Sequence, residues 1–200
     1  MRQKKVRAVT LTVLVIFLVP IFLFFFATKA YRIPGGSMIP TLLVGDHIFV
    51  NKFIYGIRMP FTNEPLIPVG RPDRGDIVVF RYPEDRSKDY IKRVVAVEGD
   101  VVQMKNRKIY VNGKLMEDPH AVYTDPRGDT NQAQKDFFGP IAVPPGKFFV
   151  MGDNRDNSYD SRYWGFVDFN DLRGRAFIIY WSWNPMNHDV RWSRIGRLLH

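Results

Sequence analysis

Ser37 sits in the stretch Pro34-Gly35-Gly36-Ser37-Met38-Ile39-Pro40-Thr41-Leu42, preceded by two glycines and enclosed by two prolines. That composition predicts a constrained, non-helical loop, on which glycine at 35 and 36 lets another backbone approach closely. A hydroxyl there is either a nucleophile or one part of an ordinary Gly-Ser turn. A nucleophilic serine needs a base. Neither a G-x-S-x-G elbow nor an S-x-x-K pair surrounds Ser37, so the common histidine triad of hydrolases is disfavoured. Lys92 is a second candidate, in Asp89-Tyr90-Ile91-Lys92-Arg93-Val94-Val95-Ala96-Val97. Strand alternation puts Tyr90, Lys92, Val94 and Ala96 on one face and Ile91, Arg93 and Val95 on the other. A lysine among apolar neighbours loses hydration of its charged form and its pKa falls. An amine titrating at about 7–8 can act as a general base. The plainer reading is a snorkelling lysine with a buried stem and a wet head. The third conspicuous stretch, Met151–Gly165, is dense in Asp, Asn, Ser and Arg. It fails as a calcium loop, because Arg155 and Arg162 lie among the acids and no Glu closes it. Polar groups beside a core strand must pair with one another. The available pairs are Asp160 with Arg162, and Asp153 or Asp156 with Arg155.

These residues need a frame. After residue 32 the chain reads as short runs rich in Val, Ile, Phe and Tyr separated by Gly, Pro and Asn. Strands are expected at His47–Phe53, Asp76–Tyr82, Tyr90–Val97, Asp100–Met104, Lys108–Val111, Lys147–Met151 and Arg175–Trp181. Asn112-Gly113, between IYV and KLM, predicts a tight hairpin whose two turn residues have positive φ. Residues 116–146 are polar and read as an excursion from the main sheet. No long helical period appears between the N-terminal segment and the tail, so the body is mainly β, a sandwich or open barrel.

The 200 residues carry a net charge of +9, which at first resembles a nucleic-acid binder. Its distribution says otherwise. Residues 33–189 balance 20 basic against 20 acidic side chains; the excess lies at the two ends. No nucleic-acid partner is therefore expected. The absence of cysteine excludes disulfides, cysteine nucleophiles and thiolate metal sites. The four scattered histidines, His47, His120, His188 and His200, do not suggest a metal centre. No metal or cofactor is expected.

Val9–Ala27 is 19 residues without a charge, long enough at about 1.5 Å per residue to cross a bilayer. Arg2, Lys4, Lys5 and Arg7 precede it, which orients the N-terminus to the cytoplasm. A cleaved signal peptide is the competing reading; the apolar run is longer than a signal h-region, and Lys29 is a poor neighbour for the cut. The expected organisation is a basic N-terminus (1–8), one transmembrane helix (9–27) and an extracytoplasmic domain (28–200). That domain divides into a core of about 31–100 and 147–200 and an insertion of about 101–146. Trp181, Trp183 and Trp192 are candidates for an interfacial belt. The tail VRWSRIGRLLH reads either as a short basic amphipathic helix lying on lipid or as a tail packed on its own domain.

Together these features resemble the bacterial type I signal peptidases (leader peptidases), membrane-bound Ser-Lys endopeptidases. Five stretches carry the resemblance in the family's order: GGSMIPTL at 35–42, GDHIFVNKFIYG at 45–56, RGDIVVFRYP at 74–83, DYIKRVVAVEGD at 89–100 and GDNRDNSYDSRYWGFV at 152–167. The resemblance implies a mainly β fold, an antiparallel β-sheet catalytic body with a smaller β insertion, preceded by one transmembrane helix. It implies Ser37 as nucleophile and Lys92 as neutral general base. It implies Ser158 as the serine that orients the lysine, Asp160 and Arg162 as a supporting ion pair, and Tyr90 as a wall of the site. The Ser37 backbone N–H would serve the oxyanion hole; many relatives add a serine hydroxyl at the position that is Gly35 here. The substrate would be a signal-peptide-bearing preprotein, bound as an extended strand and cut after small A-x-A residues. Ile33, Met38, Leu42, Ile77, Val79 and Ile91 are the further candidate pocket residues. The implied location is the bacterial inner membrane, single-pass, with membrane lipid as a partner. Two alternatives are a dedicated Ser-Lys peptidase maturing a pilin or a few substrates, and a catalytically inactive membrane-anchored β scaffold.

Overall fold

The computed structural model describes residues 15–20, 24, 27–58, 65–67, 70–124 and 137–200. The strands are β1 (Thr28–Arg32), β2 (Asp46–Asn51), β3 (Ile57–Arg58), β4 (Pro65–Ile67), β5 (Ile77–Tyr82), β6 (Asp85–Val97), β7 (Val101–Lys105), β8 (Lys108–Val111), β9 (Lys114–Leu115), β10 (Phe138–Ala142), β11 (Lys147–Met151), β12 (Val167–Asp168), β13 (Leu172–Asn184) and β14 (Asp189–Val190). The main sheet runs β1-β2-β13-β5-β6-β11-β12, with β14 paired to β13. A second sheet, β10-β7-β8-β9, is built from residues 101–142, and β3 pairs with β4. The pairings between named strands are all antiparallel. The mainly β expectation therefore holds.

Burial explains which strands are apolar throughout. β5 lies between β13 and β6 and is covered on both faces, so Ile77, Val78, Val79 and Phe80 are all buried. Its odd residues join a cluster with Ile33, Met38, Leu42, Ile48 and Leu199. Its even residues join Val94, Phe148, Val150 and Leu172. Each such aliphatic side chain contributes about 1.5–3 kcal/mol by leaving water. A third cluster, through Val95, Phe149, Val102 and Ile109, fastens the second sheet to the first. The Asn112-Gly113 hairpin forms as expected, with φ of 54° and 75°.

Several boundaries differ from the sequence expectation. β6 starts at Asp85, five residues early, because its exposed first half pairs with β5 and needs no apolar residue to do so. β13 is 13 residues long and accommodates bulges against β2 and β5. β1, at Thr28–Arg32, precedes the first strand expected from the sequence.

Of the two readings of the tail, the structure takes the packed one. Trp192–Arg194 is a 3-10 turn, Leu199 is buried, and Arg194 forms a bidentate pair with Asp46 while donating to the Thr41 carbonyl at 2.9 Å.

Val15–Pro20 is helical, and the side chains of all six residues are exposed. Among the described residues no helix is long and apolar enough to cross a membrane. Most of the expected span 9–27 lies outside the described residues.

Candidate active site

Ser37 and Lys92 meet. Lys92 Nζ donates to Ser37 Oγ at 2.7 Å. The two side chains reach each other from separate elements, 55 residues apart. Lys92 stands on β6 opposite Val78 of β5. Its face of the strand carries Tyr90 and Val94, as alternation requires, and the Tyr90 ring centroid lies 5.5 Å from Nζ. Ser37 is carried by the turn between β1 and β2. That turn is closed by Ile39 N–H donating to Gly36 O and Leu42 N–H donating to Met38 O. Met38 and Leu42 are fully buried and fix the turn to the core below.

Lys92 is only 4% exposed. Burial lowers its pKa from 10.5 to about 8; the carboxylates of Asp160 and Asp153 oppose that shift, and the Arg162 guanidinium reinforces it. About a tenth of the lysine is thus neutral at pH 7. The lysine of the sequence expectation is buried at its tip as well as its stem, so the snorkelling reading does not describe it.

A second loop, 152–158, holds the Ser37 turn. Asn154 N–H donates to Ser37 O at 3.0 Å, and Asn154 Nδ2 donates to Gly36 O at 3.2 Å. The Ser37 N–H is engaged by no acceptor among the described residues. The approach of the two loops requires glycine at 152. A Cβ there would stand 2.4 Å from Ser37 O and 2.3 Å from Ser158 Oγ. We expect Gly152→Ala to displace the Ser37 turn, lowering kcat by about 10²-fold, since misplacement of about 1 Å is enough. Its thermal midpoint should also fall, as overpacking typically costs about 1–3 kcal/mol. Steady-state kinetics and melting curves on the same sample check both.

The polar groups behind the site are paired, though not all as the sequence suggested. Asp160 and Arg162 form the expected pair, with Nε to Oδ1 at 2.8 Å and Nη2 to Oδ2 at 2.9 Å. Asp160 also caps the short helix Ser161–Trp164 and accepts from Gly152 N–H at 3.0 Å. Its burial favours the neutral acid, but the Arg162 contact, the Arg162 charge and the Gly152 N–H outweigh that and lower its pKa. Asp153 does not pair with Arg155. It takes a fork from Arg93, at 2.8 and 2.9 Å, and a 2.5 Å bond from Thr41 Oγ1. Arg155 pairs with Asp118 instead, and Asp156 lies 3.9 Å from Arg107.

Ser158 is buried beside Gly152. Its Oγ lies near enough to Asp160 to help lower that acid, yet among the described residues it makes no hydrogen bond, so it does not orient Lys92 as the resemblance implied. The candidate pocket residues divide. Ile33, Met38, Leu42, Ile77 and Val79 are buried in one core cluster beneath the Ser37 turn. Ile91, which packs on that cluster, and Tyr90 keep exposed surface. Gly35 is exposed and has no atom within 4 Å of where a Cβ would stand. Arg93, Asp153 and Thr41 were not foreseen as a unit. The signal was present: Arg93 shares a strand face with Ile91 and Val95, and a charge on an apolar face needs a partner. Among the described residues no cluster of three or more His, Asp or Glu side chains is arranged to hold a metal.

A family model described as signal peptidase, peptidase S26, matches residues 5–181. The chain is 40% identical over 203 residues to the signal peptidase I of Pseudomonas aeruginosa, covering 86% of this chain and 72% of that protein. It is 35% identical over 219 residues to the signal peptidase I of Aquifex aeolicus, covering 84% and 81%. It is 34% identical over 187 residues to the signal peptidase I P of Bacillus subtilis subsp. natto, covering 92% and 91%. A crystal structure of a signal peptidase I from Enterococcus faecalis is 29% identical, with a TM-score of 0.45, and the match covers 53% of this chain and 97% of that one.

Proposed function

The chain belongs to the peptidase S26 family of signal peptidases, and from that premise we propose that Ser37 and Lys92 are the residues with which it removes signal peptides. The observation that carries this reading is the 2.7 Å contact between Ser37 Oγ and a buried lysine.

The geometry supports the following chemistry. Neutral Lys92 takes the Ser37 hydroxyl proton as Oγ attacks the carbonyl carbon of the scissile bond. The carbonyl oxygen becomes an oxyanion, and the Ser37 N–H, which meets no acceptor among the described residues, is its proposed donor. Collapse breaks the C–N bond. The Lys92 ammonium gives its proton to the departing amine, which leaves as the mature N-terminus. The signal peptide stays as an ester on Ser37. Water then enters, Lys92 takes one of its protons, and hydroxide addition followed by loss of Ser37 Oγ releases the signal peptide carboxylate. The proton held by Lys92 returns to Oγ. Asp160 and Arg162 hold the loop behind the lysine, and the half-buried Tyr90 ring beside Lys92 offers apolar surface for a small side chain at the cut. Membership of the family identifies the substrate as a signal-peptide-bearing preprotein.

Gly35 leaves the oxyanion with one backbone donor and open space where a side chain would stand. Gly35→Ser is expected to raise kcat by about tenfold or more, because one oxyanion donor can be worth about 10²–10³ in rate. Steady-state cleavage by the two forms decides it.

The proposed location is the bacterial inner membrane, single-pass, with the N-terminus cytoplasmic and the peptidase domain outside. Arg2, Lys4, Lys5 and Arg7 ahead of an uncharged run support it, as does the exposed helical stretch Val15–Val19, whose side chains are 46–64% exposed. Trp192, Met186 and Trp181 leave further apolar surface beside the tail; the two indoles meet edge to face at 6.2 Å. Such a surface suits lipid headgroup depth.

The test is cleavage of a preprotein by the full chain in phospholipid vesicles. Scission after the small residue of an A-x-A segment, lost when that residue is made phenylalanine, is expected. A preprotein left intact would sink the reading.

A further inference from the structure

We propose that Asp118 and Arg155 are positioning residues for the reaction: through them the segment 118–122, which follows β9, sets how the 152–158 loop sits against Ser37. The inference rests on Ser37 being the nucleophile. Neither residue touches Ser37 or Lys92, and the chemistry above does not use them.

Arg155 is 1% exposed, a charge that must be fully paired to stay buried. Its guanidinium donates to Asp118 Oδ2 and, at 3.0 Å, to Gly152 O. Its own carbonyl accepts from Arg162 Nη2 at 2.6 Å. Through its side chain Arg155 thus joins Asp118 to the glycine that abuts Ser37, and through its backbone carbonyl it meets Arg162 of the Asp160–Arg162 pair. The backbone repeats the connection. Val122 N–H donates to Asp153 O at 2.8 Å, Arg155 N–H donates to Val122 O at 2.9 Å, and Val122 and Asn154 form a parallel bridge. Further along, Asn157 Nδ2 donates to Thr124 Oγ1 at 2.8 Å.

The two edges of residues 153–155 are therefore occupied from opposite sides. In a trans peptide the C=O of residue 153 and the N–H of residue 154 point in opposite directions. The first bonds Val122; the second bonds Ser37 O at 3.0 Å. The 118–122 segment backs the loop along the edge opposite Ser37, and the Asp118–Arg155 pair is its only ion pair with that loop among the described residues. Weakening the pair lets the loop, Gly152 and the Ser37 turn move together, and lets water reach Lys92. The groups that set the Lys92 environment are Asp160, Arg162, Asp153 and the Tyr90 ring. None is altered by a change at 118.

The test compares the full chain in phospholipid vesicles with Asp118→Asn, Asp118→Glu and Arg155→Lys, reading kcat, KM, melting and the pH profile of kcat/KM. Wild-type cleavage, absent in Ser37→Ala, must be seen first; its failure would count against the proposed function and not against this inference. Asp118→Asn is expected to lower kcat by about 10- to 100-fold, the range that a misplacement near 1 Å produces. KM should stay within about threefold, and the acidic limb of the profile should move up by about one pH unit as Lys92 is rehydrated. Arg155→Lys, which cannot hold Asp118 and Gly152 O together, should act in the same direction. Asp118→Glu should restore most of kcat. Arg74→Gln breaks a more exposed ion pair, with Asp100, and should leave kcat and the profile unchanged. An unmoved acidic limb in both Asp118→Asn and Arg155→Lys, whatever the loss in kcat, overturns the inference, because a loss of folded protein scales the rate without moving the limb.

Discussion

Lys92→Met should abolish preprotein cleavage, by a factor of about 10⁴ or more, and at the same time stabilise the folded chain at neutral pH. The first effect follows from losing the proposed base. Methionine keeps most of the stem volume but takes no proton, and no histidine contacts Ser37 Oγ among the described residues. The second follows from where the lysine sits. Burial holds its folded pKa near 8, against 10.5 when it is free in water. The folded chain therefore binds this proton less tightly than the unfolded chain. Below about pH 8 that difference opposes folding in full, by an amount on the order of 3 kcal/mol. The penalty shrinks as pH rises from about 8 towards 10.5 and vanishes above that. Methionine removes it, so the gain in melting temperature should be large at pH 6–7 and small near pH 10. Activity of the wild type carries the complementary sign. Only neutral Lys92 accepts a proton, so kcat/KM should climb about tenfold per pH unit below 8 and flatten above it. A rate loss with no stability gain would indicate a hydrated lysine; a gain with retained activity would assign the base elsewhere.

Ser37→Ala should remove cleavage to a similar or greater extent while leaving the fold intact. The hydroxyl is the only atom deleted, and the turn that carries it is fixed by Met38, Leu42 and two bonds from Asn154, none of which involve Oγ. Among the described residues Oγ makes one hydrogen bond, with Lys92. Its loss leaves the amine facing the vacated position, which a water can fill, so the melting temperature should change by only a few degrees. Preprotein binding, measured as inhibition of wild-type turnover by the inactive variant's capture of substrate, should persist. Loss of binding together with activity would mean that the serine shapes the site and does no chemistry.

Much of this site was legible because its chemistry needs particular residue types at particular places. A serine boxed by glycine and proline, and a lysine on an apolar strand face, each stand out against composition. Period-two alternation placed Lys92 with Tyr90 and Val94, and the structure agrees. The hairpin at Asn112-Gly113 was readable because few residues tolerate φ of 54° and 75° in succession. The pairing of buried charges was less readable. Arg155 has acids two positions before it and one after it, yet reaches Asp118, 37 residues away. Asp153 turns to Arg93 on another strand. Such choices are made by the tertiary path of the chain, which local sequence does not encode. The first half of β6 was missed for a related reason: a solvated strand arm paired along one edge carries the same charged residues as a loop. The tail was ambiguous because alternating Arg and apolar residues serve a lipid-facing helix and a packed extended segment equally; the buried Asp46 waiting for Arg194 decided between them.

The central claim is that Ser37 attacks with Lys92 as its base. The most direct measurement is the rate and site of acylation by an activated-ester probe, followed across pH by mass spectrometry of the digested protein. The account predicts one adduct, on the peptide containing Ser37, formed at a rate that rises with an apparent pKa near 8, and absent from Ser37→Ala. An adduct on another residue, or acylation of Ser37 at a rate indifferent to pH and to Lys92→Met, would contradict it.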